Sequence, residues 1–170
     1  IIENNGYGAA INYGSKLVKT DYFLVSNPDV SGIDENNLKI FVNSAKILKD
    51  EFSSLGPRYI NGNLKSLVQS NDIMEIAEMK IISGACMFFK KINFDLLGGF
   101  DEKFFLYFEE NDFCLRAHKI KKNYQINSIK VSHDVGTSVT TSNNKEKDKH
   151  NNFRTWHFIW SKFYYFKKNY

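Results

Sequence analysis

Short apolar runs alternate with amphipathic and polar segments along the chain. Runs rich in aromatic and branched side chains predict strands at residues 22–25, 55–60, 79–89 and 124–131. Helices are predicted at residues 9–18, 35–49 and 109–119, with apolar positions three and four apart at 35–49 and only a loose period at 9–18. Polar stretches predict loops at residues 61–72 and 134–149. Because strands alternate with helices, the pattern favours a layered α/β fold.

The clearest amphipathic helix is predicted at residues 35–49. Asp34 precedes it as a typical N-cap residue. The apolar residues of this segment recur at helical spacing: Leu38, Phe41, Val42, Ala45 and Leu48. Glycine interrupts other runs, because Gly56-Pro57 falls within one predicted strand and Gly84 marks a bulge or a close approach within another.

Composition places the chain among globular proteins. Hydrophobic residues make up 42% of the 170 positions, enough for a sizeable core, and the length predicts one domain. The two cysteines, Cys86 and Cys114, lie in apolar stretches without a zinc-ligand spacing, so we expect reduced thiols in a cytosolic protein. No run is long enough to predict a membrane span, and no signal peptide is visible. The sequence starts at Ile1, and its first residues read as the continuation of a strand. We therefore expect a piece of a longer protein.

The net charge of +4 is concentrated at one end of the chain. Residues 151–170 hold four basic residues and no acidic one, which leaves 19 residues of each sign in residues 1–150. A neutral body argues against a nucleic-acid-binding domain. We therefore divide the chain into a domain at residues 1–150 and a basic, aromatic helix at residues 151–170.

The terminal helix has two interpretations. Its apolar and basic residues recur at spacings of three and four: Phe153, Trp156, Trp160, Phe163 and Lys167. Basic residues among aromatics fit a helix that lies on an anionic membrane surface. The alternative is a helix that packs its aromatics on the domain or on a partner chain. The pattern alone does not separate them.

The first candidate for chemistry is Asn27-Pro28-Asp29, directly after the strand predicted at 22–25. Ligands of open α/β sheets gather at the carboxyl ends of strands. A carboxylate in that position is suited to hold a hard divalent cation through oxygen. The alternative is an ordinary turn that ends the strand, because proline cannot continue the ladder.

The second candidate is an acidic cluster that follows the aromatic segment 104–108. Glu109, Glu110 and Asp112 fall in the first turn of the predicted helix, where the helix dipole favours negative charge. Carboxylates beside an aromatic shelf are suitable general bases. The alternative is dipole complementation alone, with Asp112 and Arg116 forming an i, i+4 ion pair.

The third candidate is His133, which follows the strand predicted at 124–131. Histidine is a frequent metal ligand that titrates near neutral pH. A lone histidine is more often structural or solvated. We assign that role to the other three, whose sequence gives no partner pattern: His118, His150 and His157.

In this order, the pieces resemble glycosyltransferase family 2, the inverting nucleotide-sugar enzymes of the GT-A fold, especially its rhamnosyltransferase-like branch. The matching stretches are residues 5–12, 27–30, 84–87, 98–105, 109–116 and 133–138. Each stretch is weak, but their order and spacing are specific. The resemblance implies a GT-A-like, Rossmann-like mixed sheet flanked by helices.

The resemblance implies transfer of a sugar from a nucleoside diphosphate to an acceptor hydroxyl, with inversion. Asp29 resembles the metal-binding aspartate of the family and His133 a further ligand, so the implied cofactor is Mg²⁺ or Mn²⁺. Glu110 stands where the family has its base, flanked by Glu109 and Asp112. The remaining residues are implied to bind substrate: Asn27, Gly84, Ala85, Phe105 and Tyr107.

The implied partners are a nucleotide-sugar donor and a glycan or lipid-linked acceptor in cell-surface polysaccharide or O-antigen assembly, with no nucleic acid. The implied location is the cytoplasm, at the inner face of the plasma membrane. Three features depart from the family. Asn27 replaces the first aspartate of the Asp-x-Asp motif, and Glu110 is one methylene longer than the usual aspartate. The first nucleotide-binding βαβ part would precede Ile1, so this chain alone is not expected to bind the donor.

Overall fold

The computed structural model describes residues 3–61, 74–134 and 142–170. The helices are α1 (Tyr7–Leu17), α2 (Glu35–Ile47), α3 (Lys91–Leu96), α4 (Glu109–Ala117) and α5 (Asn144–Asn169). The strands are β1 (Tyr22–Ser26), β2 (Val30–Ser31), β3 (Phe52–Tyr59), β4 (Ile76–Met79), β5 (Cys86–Lys90) and β6 (Lys122–His133).

The strands in the described part of the chain form one mixed sheet. Its order is β1-β5-β3-β6-β2, and β4 pairs with β6 beside this path. The β3–β6 pair is parallel, whereas β5 is antiparallel to both β1 and β3. It follows that β1, β3 and β6 run in one direction and end at the same edge of the sheet. The predicted α/β architecture, an open mixed sheet flanked by helices, is confirmed.

Helices pack on both faces of the sheet, as the alternation of side chains along β5 illustrates. Cys86 and Phe88 join the core beneath α2, together with Phe41. Met87 and Phe89 join the opposite core, with residues of α3 and α4. Because both faces of β5 are buried, its sequence is continuously apolar.

The single strand predicted at residues 79–89 is wrong in its extent. The structure has β4 at Ile76–Met79 and β5 at Cys86–Lys90, with no strand at residues 80–85. These six residues include Ile82, which is buried, so the apolar run continues through a segment that is not extended in the sheet. Buried turns and buried strands share an apolar composition, and periodicity does not separate them.

The strand predicted at residues 55–60 is longer than expected and is not broken by Gly56-Pro57. A Cβ at position 56 would lie 2.4 Å from Cγ2 of Ile82, so glycine allows the chain segments to approach. The register with β6 shifts directly after Pro57. The irregularity in the ladder accommodates a residue that has no N–H to donate.

Helix α2 follows its prediction closely. The side chain of Asp34 accepts a hydrogen bond from the Asn37 backbone N–H at 2.8 Å, which confirms the N-cap. Phe41 and Ala45 are fully buried. The short elements β2 and α3 were not predicted, since two and six residues are too few to show a period.

The loop predicted at residues 134–149 ends before Asn143, which caps α5 by accepting a hydrogen bond from the Glu146 N–H at 2.9 Å. Most of the loop predicted at 61–72, and residues 135–138 of the resembling stretch, lie outside the described residues. Both cysteines are free and buried. No helix in the described part of the chain is long and apolar enough to cross a membrane.

Candidate functional site

The candidate residues collect where β1, β3 and β6 end and β5 begins. The Asn27 backbone N–H donates to the Ala85 carbonyl at 2.8 Å, which holds the turn after β1 against the segment before β5. The Asp134 N–H donates to the Asp29 carbonyl at 3.0 Å. β2 then pairs antiparallel with the end of β6, with Val30 opposite His133. The reversal after β1 therefore brings Asp29 next to His133.

Asp29 and His133 form a buried pair. Oδ1 of Asp29 lies 3.2 Å from Nε2 of His133, and their side chains are only 5% and 10% exposed. The contact lies within ion-pair distance, yet Oδ1 has no hydrogen-bond partner of acceptable geometry among the described residues. Nδ1 of His133 also has none in that part of the chain. The carboxylate oxygen of Asp29 that lies beside Nε2 therefore has capacity left for another partner.

The second group of carboxyls begins α4. Glu109 is 4% exposed, and its Oε2 has no hydrogen-bond partner among the residues described. Burial raises the pKa of Glu109 to about 8, and the nearby charge of Glu110 adds to the rise. Burial also raises the pKa of Glu110, although hydrogen bonds from the backbone of Glu110 and Asn111 oppose it. The pair is therefore set to retain a proton near neutral pH.

Tyr7, which the sequence did not single out as a site residue, lies beside this pair. Its hydroxyl donates a 2.5 Å hydrogen bond to the Gly84 carbonyl. A Cβ at Gly84 would lie 3.5 Å from atoms of the Glu110 side chain, so Gly84 is in close contact with the base candidate. Burial raises the pKa of Tyr7 well above its usual range, with contributions from Glu109 and Glu110. Tyr7 therefore remains a neutral phenol next to the two carboxyls.

The position of Tyr7 depends on the glycine before it. Gly6 has φ +97°, and a Cβ there would lie 2.3 Å from the Phe105 carbonyl oxygen. The close approach lets the Tyr7 N–H donate to that carbonyl at 2.9 Å. A glycine in a turn before a helix was the signal available in the sequence, and it indicates a close backbone contact.

Tyr59, at the end of β3, connects the two groups. Its ring centroid lies 6.1 Å from that of His133. Burial raises the pKa of Tyr59; the charged forms of Cys86 and Glu110 add to the rise, and hydrogen bonds with Ser83 and the Cys86 backbone oppose it. Tyr59 thus contacts His133 and lies close enough to Glu110 to respond to its charge. Sequence reasoning missed it because an aromatic residue in a strand is more often part of the core.

Asp112 belongs to a different environment. Its side chain is fully buried, and its oxygens pair with Nε of Arg116 at 2.8 Å and Nζ of Lys168 at 2.7 Å. Arg116 in turn donates to the backbone carbonyls of Leu97 and Gly99. The i, i+4 pair of the alternative interpretation is therefore present, and Asp112 joins α4 to α5.

The aromatic residues predicted to bind substrate are engaged by α5. Phe105 stacks on His157 with ring centroids 4.4 Å apart. The hydroxyl of Tyr107 accepts a hydrogen bond from Nε of Arg154 at 2.7 Å. Tyr107 and Phe108 have φ of 71° and 69°, so two bulky residues in left-handed conformation lead directly into Glu109. The contacts with α5 hold this turn in place.

Comparison with known proteins finds no matching protein-family model and no curated protein with significant similarity.

The Asp29–His133 pair suits a divalent cation. Adjacent ligands of a small octahedral ion lie roughly 3 Å apart, close to the separation of Oδ1 and Nε2. A buried carboxylate oxygen without a partner is also stabilised by a cation. Among the described residues, there is no cluster of three or more His, Cys, Asp or Glu side chains that could hold a metal. The pair would supply two ligands to such an ion.

Proposed function

We propose that the chain carries the catalytic site of an inverting glycosyltransferase similar to family 2, with the GT-A form of the α/β fold. The observation that carries the proposal is the adjacency of Asp29 and His133. They are far apart in sequence, yet their side chains are only 5% and 10% exposed and lie 3.2 Å apart at the edge of the sheet where ligands bind. Oδ1 of Asp29 has no hydrogen-bond partner among the described residues. The acidic start of α4 lies next to the same region through Tyr59.

Asp29 and His133 are the residues that would hold Mg²⁺ or Mn²⁺. The bound cation would neutralise negative charge on the departing diphosphate. Asn27 extends the site as a neutral oxygen donor in the turn before Asp29. Because Asn27 adds no negative charge, the site favours an ion that also takes oxygen ligands from the substrate.

Glu110 is the proposed general base, and Glu109 tunes it. Burial raises the pKa of both carboxyls, and the charge of Glu110 raises that of Glu109 further, so the two do not easily ionise together. In this proposal Glu110 is the member that ionises and removes the proton of the acceptor hydroxyl, while Glu109 keeps its proton. Tyr7 lies beside the pair, where the hydrogen bond from its hydroxyl to the Gly84 carbonyl holds the phenol. The acceptor oxygen would bond to the anomeric carbon as the bond from that carbon to the diphosphate breaks, and Glu110 would take the hydroxyl proton.

The test is a sugar-transfer assay on the full-length protein with a panel of nucleotide sugars and Mn²⁺. Asp29→Asn is expected to lose transfer together with metal-dependent donor binding, whereas Glu110→Gln is expected to lose transfer and to keep binding. Each loss is expected to exceed about a hundredfold, the usual scale for a positioned acid or base. Melting temperatures should stay close to that of the parent protein.

Asp21→Asn is the matched control for Asp29. Asp21 is exposed and lies just before β1, at the end of the strand away from the site. It is expected to retain transfer. If Asp29→Asn or Glu110→Gln keeps full activity, the assignment of that residue is wrong.

The alternative function is a non-catalytic carbohydrate-binding or membrane-docking module. The exposed aromatic face of α5 favours the docking part of this alternative. A protein of this kind would bind glycans or vesicles, and no nucleotide sugar would be transferred or bound in a metal-dependent way.

A further inference from the structure

The inner face of helix α5 packs against the domain. His157, Ser161 and Tyr165, one turn apart, are buried. The hydroxyl of Ser161 donates to the Leu106 carbonyl at 2.8 Å, and the Tyr164 hydroxyl donates to Asp101 at 2.9 Å. Ring contacts accompany these bonds, since Tyr164 packs on Phe104 and Tyr165 on Phe108. The docking interpretation of the helix is therefore present, but it does not use the two tryptophans.

The outer face of α5 is apolar and exposed. Six large side chains are between 45% and 86% exposed: Trp156, Ile159, Trp160, Phe163, Phe166 and Tyr170. At about 100° per residue, they fall within about 120° of arc on the side away from the buried row. Isolated exposed apolar residues need no explanation, but a contiguous row of six on one helix face indicates an interaction surface.

The charges around the outer face are of one sign. After Asp148 the chain has no acidic residue, and Lys162 and Lys167 lie among the exposed aromatics. The Lys167 ammonium is 5.9 Å from the centroid of the Phe163 ring, so its stem runs along apolar surface. The other two basic residues of residues 151–170 point to the domain, because Arg154 bonds Tyr107 and Lys168 pairs with Asp101 and Asp112.

We propose that the outer face of α5 lies in the headgroup region of an anionic lipid bilayer. Tryptophan and other aromatics favour the membrane–water interface, and lysines beside them pair with anionic headgroups while their stems stay in apolar surroundings. Lysine is depleted in protein–protein interfaces, which favours lipid over a second copy of the chain or another protein. The proposal holds whether or not the domain transfers a sugar.

This arrangement places the site next to the lipid surface. The inner face of α5 contacts Leu106 and Tyr107, immediately before Glu109. The thickness of one helix, α5, therefore separates the bilayer surface from the acidic end of the site. A substrate anchored in the same bilayer would reach the site across that distance.

The test uses the intrinsic fluorescence of the chain, because Trp156 and Trp160 are its only tryptophans and both lie on the outer face. Vesicles of phosphatidylcholine with about 30 mol% phosphatidylglycerol are compared with vesicles of phosphatidylcholine alone. We expect a blue shift and co-sedimentation with the anionic vesicles, and weaker binding at high salt.

The double variant Ile159→Glu/Phe163→Glu is expected to lower the vesicle partition coefficient at least about tenfold. Both side chains are exposed, so the fold should tolerate the change, and circular dichroism checks this. Ile92→Glu on α3 is the matched control, since Ile92 is equally exposed but lies off α5. It is expected to bind vesicles like the parent chain.

Two results would overturn the proposal. One is a parent chain that binds neither kind of vesicle. The other is a blue shift that depends on protein concentration without lipid, together with a dimer in sedimentation velocity that the double variant does not form. That second result would assign the face to a second copy.

Discussion

Asp112 and Asp29 are both largely shielded from solvent, but their surroundings are opposite. Asp112 is fully buried and has a cation on each oxygen, Arg116 at 2.8 Å and Lys168 at 2.7 Å. Asp29 is almost as buried, but its Oδ1 lies beside His133 with no hydrogen-bond partner among the described residues. Asp112 therefore stabilises the fold, whereas Asp29 still has an oxygen that can bind a ligand.

The largest expected effect is on stability. Asp112→Asn leaves Arg116 and Lys168 without their shared counter-charge, and it should lower the free energy of unfolding by about 3–5 kcal/mol. Asp29→Asn removes a charge that has no satisfying partner, so its change should stay within about 1 kcal/mol. Urea unfolding of both variants measures the difference. Equal destabilisation by the two would show that Asp29 is structural as well.

The next effect comes from Glu109, the other buried carboxyl with a free oxygen. Its pKa is about 8 in the folded protein against an ordinary value of 4.5, so the native state holds a proton that the unfolded chain releases. The destabilisation is absent below about pH 4.5, grows as the pH rises and levels off above about pH 8. Glu109→Gln should therefore raise stability at pH 8 by on the order of 3 kcal/mol and leave it unchanged at pH 4.

Urea midpoints for the parent chain and Glu109→Gln, measured from pH 4 to pH 9, check this prediction. Glu35→Gln, on the exposed first turn of α2, is the control and should follow the parent chain at every pH. A parent chain whose stability is flat above pH 5 would contradict the buried-proton interpretation.

The smallest effect is stabilisation by a cation. Mn²⁺ at about ten times its dissociation constant should add about 1.4 kcal/mol to the parent chain, because it binds only the folded pair. Differential scanning calorimetry should show the rise in melting temperature for the parent chain and for Asp21→Asn. It should be lost in Asp29→Asn and in His133→Ala. A rise that survives both substitutions would place the ion elsewhere.

The features predicted correctly from the sequence are those decided by residues close together in the chain. The Asp34 cap and the spacing of Phe41 and Ala45 are contained within α2, and both are present in the structure. The strand before Asn27-Pro28-Asp29 was also predicted within one residue. In these places the residues that decide the structure are neighbours in the chain.

Partners distant in sequence explain what was missed. Lys168 and Asp112 are on different helices, so no local pattern indicates that α5 neutralises this acid as well as Arg116. The roles of Tyr7 and Tyr59 depend on contacts with Gly84 and His133. Periodicity alone also left open which face of α5 packs on the domain, because the choice depends on partners in residues 101–108 that contact Phe158, Ser161 and Tyr164.

The position of Glu109 and Glu110 depends on α5 through the left-handed turn at Tyr107 and Phe108. Contacts with α5 stabilise this strained backbone. Phe158 packs on both rings, Tyr165 packs on Phe108, and Ser161 donates to the Leu106 carbonyl. Trimming the helix by its last three turns would let the turn relax to ordinary dihedral angles. Truncation of the C-terminus would thus displace Glu109 and Glu110 without removing a single atom of either.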